Sequence, residues 1–335
     1  MHYLITGHTG FKGAWLALML RELGHEVSGY SLDPLENSLF AQANLSSHFK
    51  HDFRGDIRDL PNLKDKFAVA NPDVLIHLAA QPLVRESYVK PLETFDINVM
   101  GTLNVLEASK TAKALKAALI ITTDKVYKNI NVLTGYVETD ALGGDDPYSA
   151  SKAAADIAAQ TWIKNYANFP MAIARAGNVI GGGDFAVDRI VPDIIRDFSA
   201  GHQIELRYPR AIRPWQHVLD CLHGYLKLVD SMLATGTTGE WNFGPIESEK
   251  RSVSDLAEEF AKHWTLENAW IESEKDHLDE AGYLLLNSDK ARSFLNWHDL
   301  LDFSTTVKWT NDWYIDTRLP VDRTVEQIRQ YLELR

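Results

Sequence analysis

Two groups of residues in this 335-residue chain have the types and spacing of a chemical site. In Tyr148-Ser149-Ala150-Ser151-Lys152 a tyrosine and a lysine stand four apart. On a helix that spacing puts both side chains on one face. A phenol is a poor base near neutral pH unless a neighbouring cation favours its phenolate. A lysine one turn away supplies that cation, so the pair can take a proton from an alcohol while hydride leaves for a nicotinamide. The second group, Thr122-Thr123-Asp124-Lys125-Val126-Tyr127, follows an apolar run. Thr123 can hydrogen-bond a reacting hydroxyl, and Asp124 and Lys125 add a carboxylate and an amine. Oxidising or inverting an alcohol needs no such second pair. Eliminating water does, because one group takes a proton from carbon and another protonates the departing hydroxyl.

Each group has a plainer reading, a solvated helix face for the first and a turn ion pair for the second. Their place among the surrounding elements argues for chemistry. The chain begins with a short apolar run that enters Thr6-Gly7-His8-Thr9-Gly10-Phe11-Lys12-Gly13 and then a helical pattern. Gly7, Gly10 and Gly13 follow a GxxGxxG spacing, a variant of the dinucleotide fingerprint: a tight turn, close approach of backbone to a pyrophosphate, and a helix N-terminus facing the anion. Thr9, Phe11 and Lys12 belong to the same cofactor loop. The second strand ends in Gly29-Tyr30-Ser31-Leu32-Asp33, so Ser31 stands where an acid is expected for the ribose and Asp33 follows two residues on. No arginine is obvious nearby for a 2′-phosphate, although Lys12 can approach. The pattern points to NAD and leaves NADP open. Gly55-Asp56-Ile57 follows a third strand and is well placed for the adenine, so Asp56 and Ile57 join the set.

The spacing predicts strands over 3–6, 26–31, just before 55, 73–78, 117–122 and 171–175, with helices over 14–23, 92–113 and 147–166. Asp146 caps the last of these and Pro147 suits its first turn. Such alternation specifies an α/β fold, a Rossmann-type doubly wound parallel sheet with helices on both faces. After Gly181-Gly182-Gly183 the segments shorten and grow richer in Trp, His and charge. Residues 1–180 therefore form a dinucleotide-binding domain and 181–335 a smaller mixed α/β domain. The chain is expected back at the sheet near 213–245, at 215–219 and 240–243.

Composition narrows the function. Hydrophobic residues make up 45% and charged residues 24%, as a cored globular protein requires. A net charge of −12 speaks against nucleic acid as a partner. The single cysteine, Cys221, forms no intramolecular disulfide and makes a cysteine metal site out of reach. No apolar stretch approaches the ~20 residues of a membrane span, and no signal peptide is visible. The expected location is the cytoplasm, with no membrane partner.

Taken in order, the segments GHTGFKG, YSLDP, GDIRD, HLAAQPLVR, TTDK-x-Y, PYSxSK, RAGNVIGGGD and RPWQHVL resemble the extended short-chain dehydrogenase/reductase family over nearly the whole chain. Within it they are most similar to the nucleotide-sugar 4,6-dehydratases, those acting on CDP-glucose in particular. The resemblance implies a hydro-lyase with a tightly held NAD recycled in each turnover. It makes Thr123, Tyr148 and Lys152 the oxidation triad and Asp124 the acid that protonates the departing 6-hydroxyl. Lys125 stands where many such dehydratases carry glutamate, as base at C5 or as stabiliser of the enolate. Leu78, Ala79, Ala80 and Asn98 fall to the cofactor, and Ser87, Asn178, Arg189, Arg213 and Tyr283 to the nucleotide sugar. Helices 92–113 and 147–166 pair across a two-fold axis in a homodimer. Val126 and Lys128 depart from the family, which more often has Cys and Glu there. An epimerase or reductase using the same Tyr148 and Lys152 is the alternative, and a non-catalytic dinucleotide-binding regulator a further one.

Overall fold

The apolar runs of the first half fold as strands because each is walled on both faces by helices, and a strand buried on both faces reads as a continuous apolar stretch. A computed structural model describes residues 1–246, 250–266, 268–275 and 282–335. The strands are β1 (His2–Thr6), β2 (Glu26–Ser31), β3 (His51–Arg54), β4 (Val74–His77), β5 (Ala117–Ile121), β6 (Met171–Ala176) and β7 (Gly239–Phe243). Among the described residues these seven form one sheet in the order β7-β6-β5-β4-β1-β2-β3, every pairing parallel. The chain winds outward from β1 to β3 and then returns to lay β4 on the other side of β1. Strand order thus reverses between β1 and β4, where Thr6 pairs with His77, and an open sheet of this kind binds ligands in the crevice beyond such a point.

The helices that carry the argument are α1 (Phe11–Glu22), α2 (Leu60–Ala70), α3 (Thr102–Ser109), α4 (Pro147–Tyr166), α5 (Ile190–Ser199), α6 (Val218–Thr235), α7 (Val253–Ala261), α8 (Phe303–Ile315) and α9 (Pro320–Glu333). Helix α4 starts where the sequence places it, with the Asp146 carboxylate accepting from the Ser149 N–H. The expected helix over 92–113 is instead a short helix, Pro91–Phe95, a π-helical turn, Asp96–Gly101, and then α3, and it ends at Ser109. A π turn inserts an extra residue per turn, which a periodicity of 3.6 does not reveal. Segment 239–243 joins the sheet edge as β7, whereas Gln216–His217 pairs only with Val179–Ile180, apart from the main sheet.

Residues Gly13 to Leu20 of α1 are all buried, because α6 and α9 pack on the faces that the sheet leaves open. The C-terminal helix therefore lies against the first one. A second core of Ile194, Phe198, Leu206, Leu256, Phe260 and Val307 joins α5, α7 and α8. Each such side chain contributes roughly 1.5–3 kcal/mol on burial. This core stands across the crevice from the sheet. Among the described residues no helix is long and apolar enough to cross a membrane.

Candidate active site

The crevice is a cleft of about 1050 Å³ at the carboxyl ends of β1, β4, β5 and β6, closed on the far side by the second core. Its floor is the glycine loop. Gly7 has φ +77°, and a Cβ there would stand 2.7 Å from the Ala79 amide nitrogen. A Cβ on Gly13 would stand 2.3 Å from the Gly7 carbonyl oxygen. Helix α1 has Gly10 at its N-cap with no side-chain cap, so its first-turn N–H groups face the cleft, and such groups attract an anion. A bare, tightly folded loop under a helix N-terminus fits a dinucleotide pyrophosphate.

At the adenosine end, the Ser31 and Thr9 hydroxyls hydrogen-bond each other at 2.7 Å. Lys12 does not turn towards this end. Its Nζ donates to the Tyr225 hydroxyl at 3.2 Å, and its charge is felt by Lys152. An arginine does stand here, unseen in the sequence. The β2–β3 register sets Arg54 opposite Ser31, with its guanidinium bonded to Asp52 and 3.5 Å from Asp33.

At the reactive end, β5 runs into a 3₁₀ turn, Asp124–Val126, capped by Thr123, whose hydroxyl accepts from the Lys125 N–H. The same hydroxyl donates to Asp124 Oδ1 at 2.9 Å and hydrogen-bonds Tyr148. Asp124 is buried and its Oδ2 has no partner. Burial pushes its carboxyl above the usual range, against the opposing charge of Lys125 and the Thr123 hydrogen bond. Gly177 leaves room for it, since a Cβ there would meet Pro214 at 2.4 Å and Asp124 Oδ2 at 3.0 Å. Tyr148 is pushed up to about 12 by burial, with its Thr123 hydrogen bond acting the other way. Lys152 is pulled down to about 8 by burial, with Asp156 opposing. Its Nζ donates to the Ile121 carbonyl at 3.2 Å. Lys152 stands one helical turn away, but burial governs the phenol, and what opposes it is the Thr123 hydrogen bond and the charge of Arg189. The corner holds a neutral phenol, a buried acid and two amines around one cavity.

A family model described as "NAD dependent epimerase/dehydratase family" matches residues 3–244. The CDP-glucose 4,6-dehydratase of Salmonella typhimurium is 41% identical over 324 residues, 92% of this chain and 90% of the relative. The chain belongs to the NAD dependent epimerase/dehydratase family. The dTDP-glucose 4,6-dehydratase 1 of Escherichia coli is 26% identical, over 96% of this chain and 95% of its own. Among solved structures, the dTDP-glucose 4,6-dehydratase of Bacillus anthracis in complex with NAD superposes with a TM-score of 0.80 at 21% identity, over 97% of this chain and 99% of its own.

Most of the residues that the sequence singles out in this family member converge on the cleft. Gly7, Thr9, Gly10, Phe11, Lys12, Gly13, Ser31, Asp56, Ile57, Leu78, Ala79 and Ala80 line it, as do Thr123, Asp124, Lys125, Tyr148 and Lys152. Asn178, Arg189 and Arg213 line its other side, Arg189 being held by Asp184 at 2.9 Å. Three do not reach it. The Asn98 amide is spent on the Gln81 backbone and on Ser151, which in turn donates to the Tyr148 carbonyl. Ser87 is buried and donates to the Val84 carbonyl. Tyr283 lies on the exposed side, bridged to Ile212. Asp184, Trp215 and Tyr208 also line the cleft; Asp184 and Trp215 lie in the segments RAGNVIGGGD and RPWQHVL but were not singled out as site residues, and no local pattern marks Tyr208.

Proposed function

We propose that this chain is a nucleotide-sugar 4,6-dehydratase that converts CDP-glucose to CDP-4-keto-6-deoxyglucose and water. One observation carries the reading: a buried carboxyl, Asp124, with an unpartnered oxygen, set beside Lys125 in the cavity that also holds Thr123, Tyr148 and Lys152. An alcohol oxidation alone has no use for that acid. The likeness to the Salmonella CDP-glucose enzyme supports CDP as the nucleotide.

Bound NAD supplies the acceptor for a hydride from C4 and the donor that returns it at C6. The chain's residues move the protons. Thr123 orients the 4-hydroxyl and Tyr148 takes its proton, with the Lys152 ammonium stabilising the phenolate. The hydrogen bonds of such a pair tighten in the ligand complex, where the cation can approach the phenol. The C4 ketone acidifies the C5 proton, and Lys125 faces the enolate as proton acceptor or counter-charge. Asp124, whose carboxyl burial raises towards the protonated form, is the acid that gives a proton to the departing 6-hydroxyl. One water leaves and the cofactor ends as it began.

The glycine loop, Ser31, Asp56 and Ile57 hold the cofactor, which we assign as NAD because Arg54 is already bonded to Asp52. Asn178, Arg189 and Arg213 hold the nucleotide sugar. We assign residues 1–180, with the return over 213–245, to the cofactor and the remainder of 181–335 to the sugar nucleotide. The chain acts as a homodimer in the cytoplasm. Leu92, 86% exposed beside α4, supplies an apolar contact across the two-fold axis. A panel of CDP-, dTDP-, UDP- and GDP-glucose tests the activity. The product should weigh one water less than CDP-glucose, with no net reduction of NAD. Formation of a 4-epimer without loss of water, or no turnover with any of the four, would overturn the reading.

A further inference from the structure

Two consecutive turns of α4 grip two consecutive residues of β5 and its extension. Lys152 donates to the Ile121 carbonyl at 3.2 Å. One turn on, Asp156 accepts from the Thr122 hydroxyl at 2.8 Å. Asp156 is fully buried, and both its oxygens are used further. Arg175 of β6, 1% exposed, donates from Nε to Oδ2 at 2.9 Å and from Nη2 to Oδ1 at 2.8 Å, and Gln160 donates to Oδ1 at 2.7 Å. The other arm of Arg175 donates to the Tyr127 hydroxyl at 2.9 Å, and Tyr127 donates to Asn242 at 2.7 Å. Thr122 and Tyr127 bracket the turn that carries Thr123, Asp124 and Lys125. A single buried ion pair therefore holds both ends of the reactive turn and stands next to Lys152 on its own helix face.

We propose that Asp156, clamped by Arg175, is the positioning residue of this site: it seats the Thr122–Tyr127 turn on α4 and sets a carboxylate on the helix face of Lys152. The inference rests on reading Tyr148 and Lys152 as the proton-transfer pair. The charges that reach Lys152 come from several elements. Lys12 on α1 and burial both disfavour its ammonium, and Asp156 opposes them. His77 on β4 senses Lys152 and is itself pulled down to about 3 by burial, so it adds no charge near neutral pH. Tyr148 on the same helix is neutral until it gives up its proton. Asp156 thus supplies the negative charge that holds the proton on Lys152 in a buried site. Arg175 fixes where that carboxylate stands through two charge-assisted hydrogen bonds.

The direct test follows Lys152 by NMR of the full-length protein carrying ¹³Cε-labelled lysine, with Lys152→Arg identifying its signal. In the wild type Lys152 should titrate near 8, apart from the exposed lysines. In Asp156→Asn its titration should fall by about one unit or more, as expected when a buried opposite charge one turn away is lost. Asp156→Glu should restore it. The single variant leaves Arg175 buried without its partner, so Asp156→Asn with Arg175→Met serves as a second variant that removes both charges. The fall should persist there, because Asp156 acts on Lys152 and Arg175 does not. The high-pH limb of kcat/KM for CDP-glucose should move down by the same amount. A part played by scaffolding alone would lower activity at every pH and leave both the titration and the limb in place, and that result overturns the inference. The NMR titration needs no substrate. A protein that turns over no nucleotide-glucose yet shows the displaced Lys152 titration would sink the dehydratase reading and uphold this one.

Discussion

Replacing Asp124 by asparagine keeps the shape of the side chain and removes the proton that elimination needs. A positioned acid contributes about 10²–10⁴-fold, so dehydration of CDP-glucose should slow by that factor, about 3–5 kcal/mol on the barrier. On the proposed mechanism oxidation at C4 uses Thr123, Tyr148 and Lys152, and it should survive. Stability should move the other way. Burial raises the Asp124 carboxyl, and Lys125, Thr123 and Arg213 pull it back only in part. A carboxyl raised in the folded state binds a proton that the unfolded chain has already lost. Its stabilising share is therefore present at acid pH and is lost as pH climbs from the ordinary carboxylate value through the raised one. Each unit of that rise costs the folded protein about 1.4 kcal/mol at neutral pH. Asparagine escapes this loss. The variant should melt above the wild type at neutral pH and level with it below the ordinary carboxylate range. Single-turnover mixing with CDP-glucose, read by the reduced-nicotinamide band and by product mass, should show oxidation without loss of water. Calorimetry at the two pH values reads the stability. Dehydration at the wild-type rate, or a variant that melts lower at neutral pH, would refute the reasoning.

Tyr148→Phe should keep cofactor binding by calorimetry while turnover drops by about a hundredfold or more, and near-normal turnover would unseat Tyr148 as the base. Gly7→Ala forces a side chain onto φ +77° and against the Ala79 backbone, so NAD affinity should fall by at least about tenfold with a stability loss of about 1–3 kcal/mol. Unchanged binding would mean that the loop does not cradle the pyrophosphate. Leu92→Glu should split the dimer, lowering the mass seen by light scattering at micromolar concentration; a wild-type protein already of monomer mass would remove the assembly.

Local signals made much of the fold legible. The glycine spacing places the first β-to-α junction, and Asp146-Pro147 places the start of α4, because each is a short-range consequence of backbone sterics or capping. The reactive turn was legible for a related reason: Thr123, Asp124 and Lys125 are contiguous, and the end of a parallel strand is where side chains emerge into the crevice. What escaped the sequence depends on register or on tertiary burial. Arg54 meets Ser31 through strand pairing between β2 and β3, which residue types near Ser31 cannot announce. Asn98 carries the composition of a binding residue, yet the π turn aims its amide at Gln81 and Ser151 and away from the cleft. Ser87 is consumed by its own helix turn. Arg175 and Asp156 lie in different elements, and only the packing of α4 on the sheet brings them together.

Burial also explains how one cleft can hold groups of such different character. It raises a phenol and a carboxyl and lowers an amine, since in each case it disfavours the charged form. The direction suits the acid role proposed for Asp124, and it opposes the base role proposed for Tyr148. Asp124 and Tyr148 share the Thr123 hydroxyl, and different cations act on them, Lys125 and Arg213 on the acid and Arg189 on the phenol. On the proposed mechanism the charge on Lys152 bears directly on oxidation. An amine near 8 changes charge within reach of neutral pH, and the buried Asp156–Arg175 pair behind it sets on which side of neutrality that change falls.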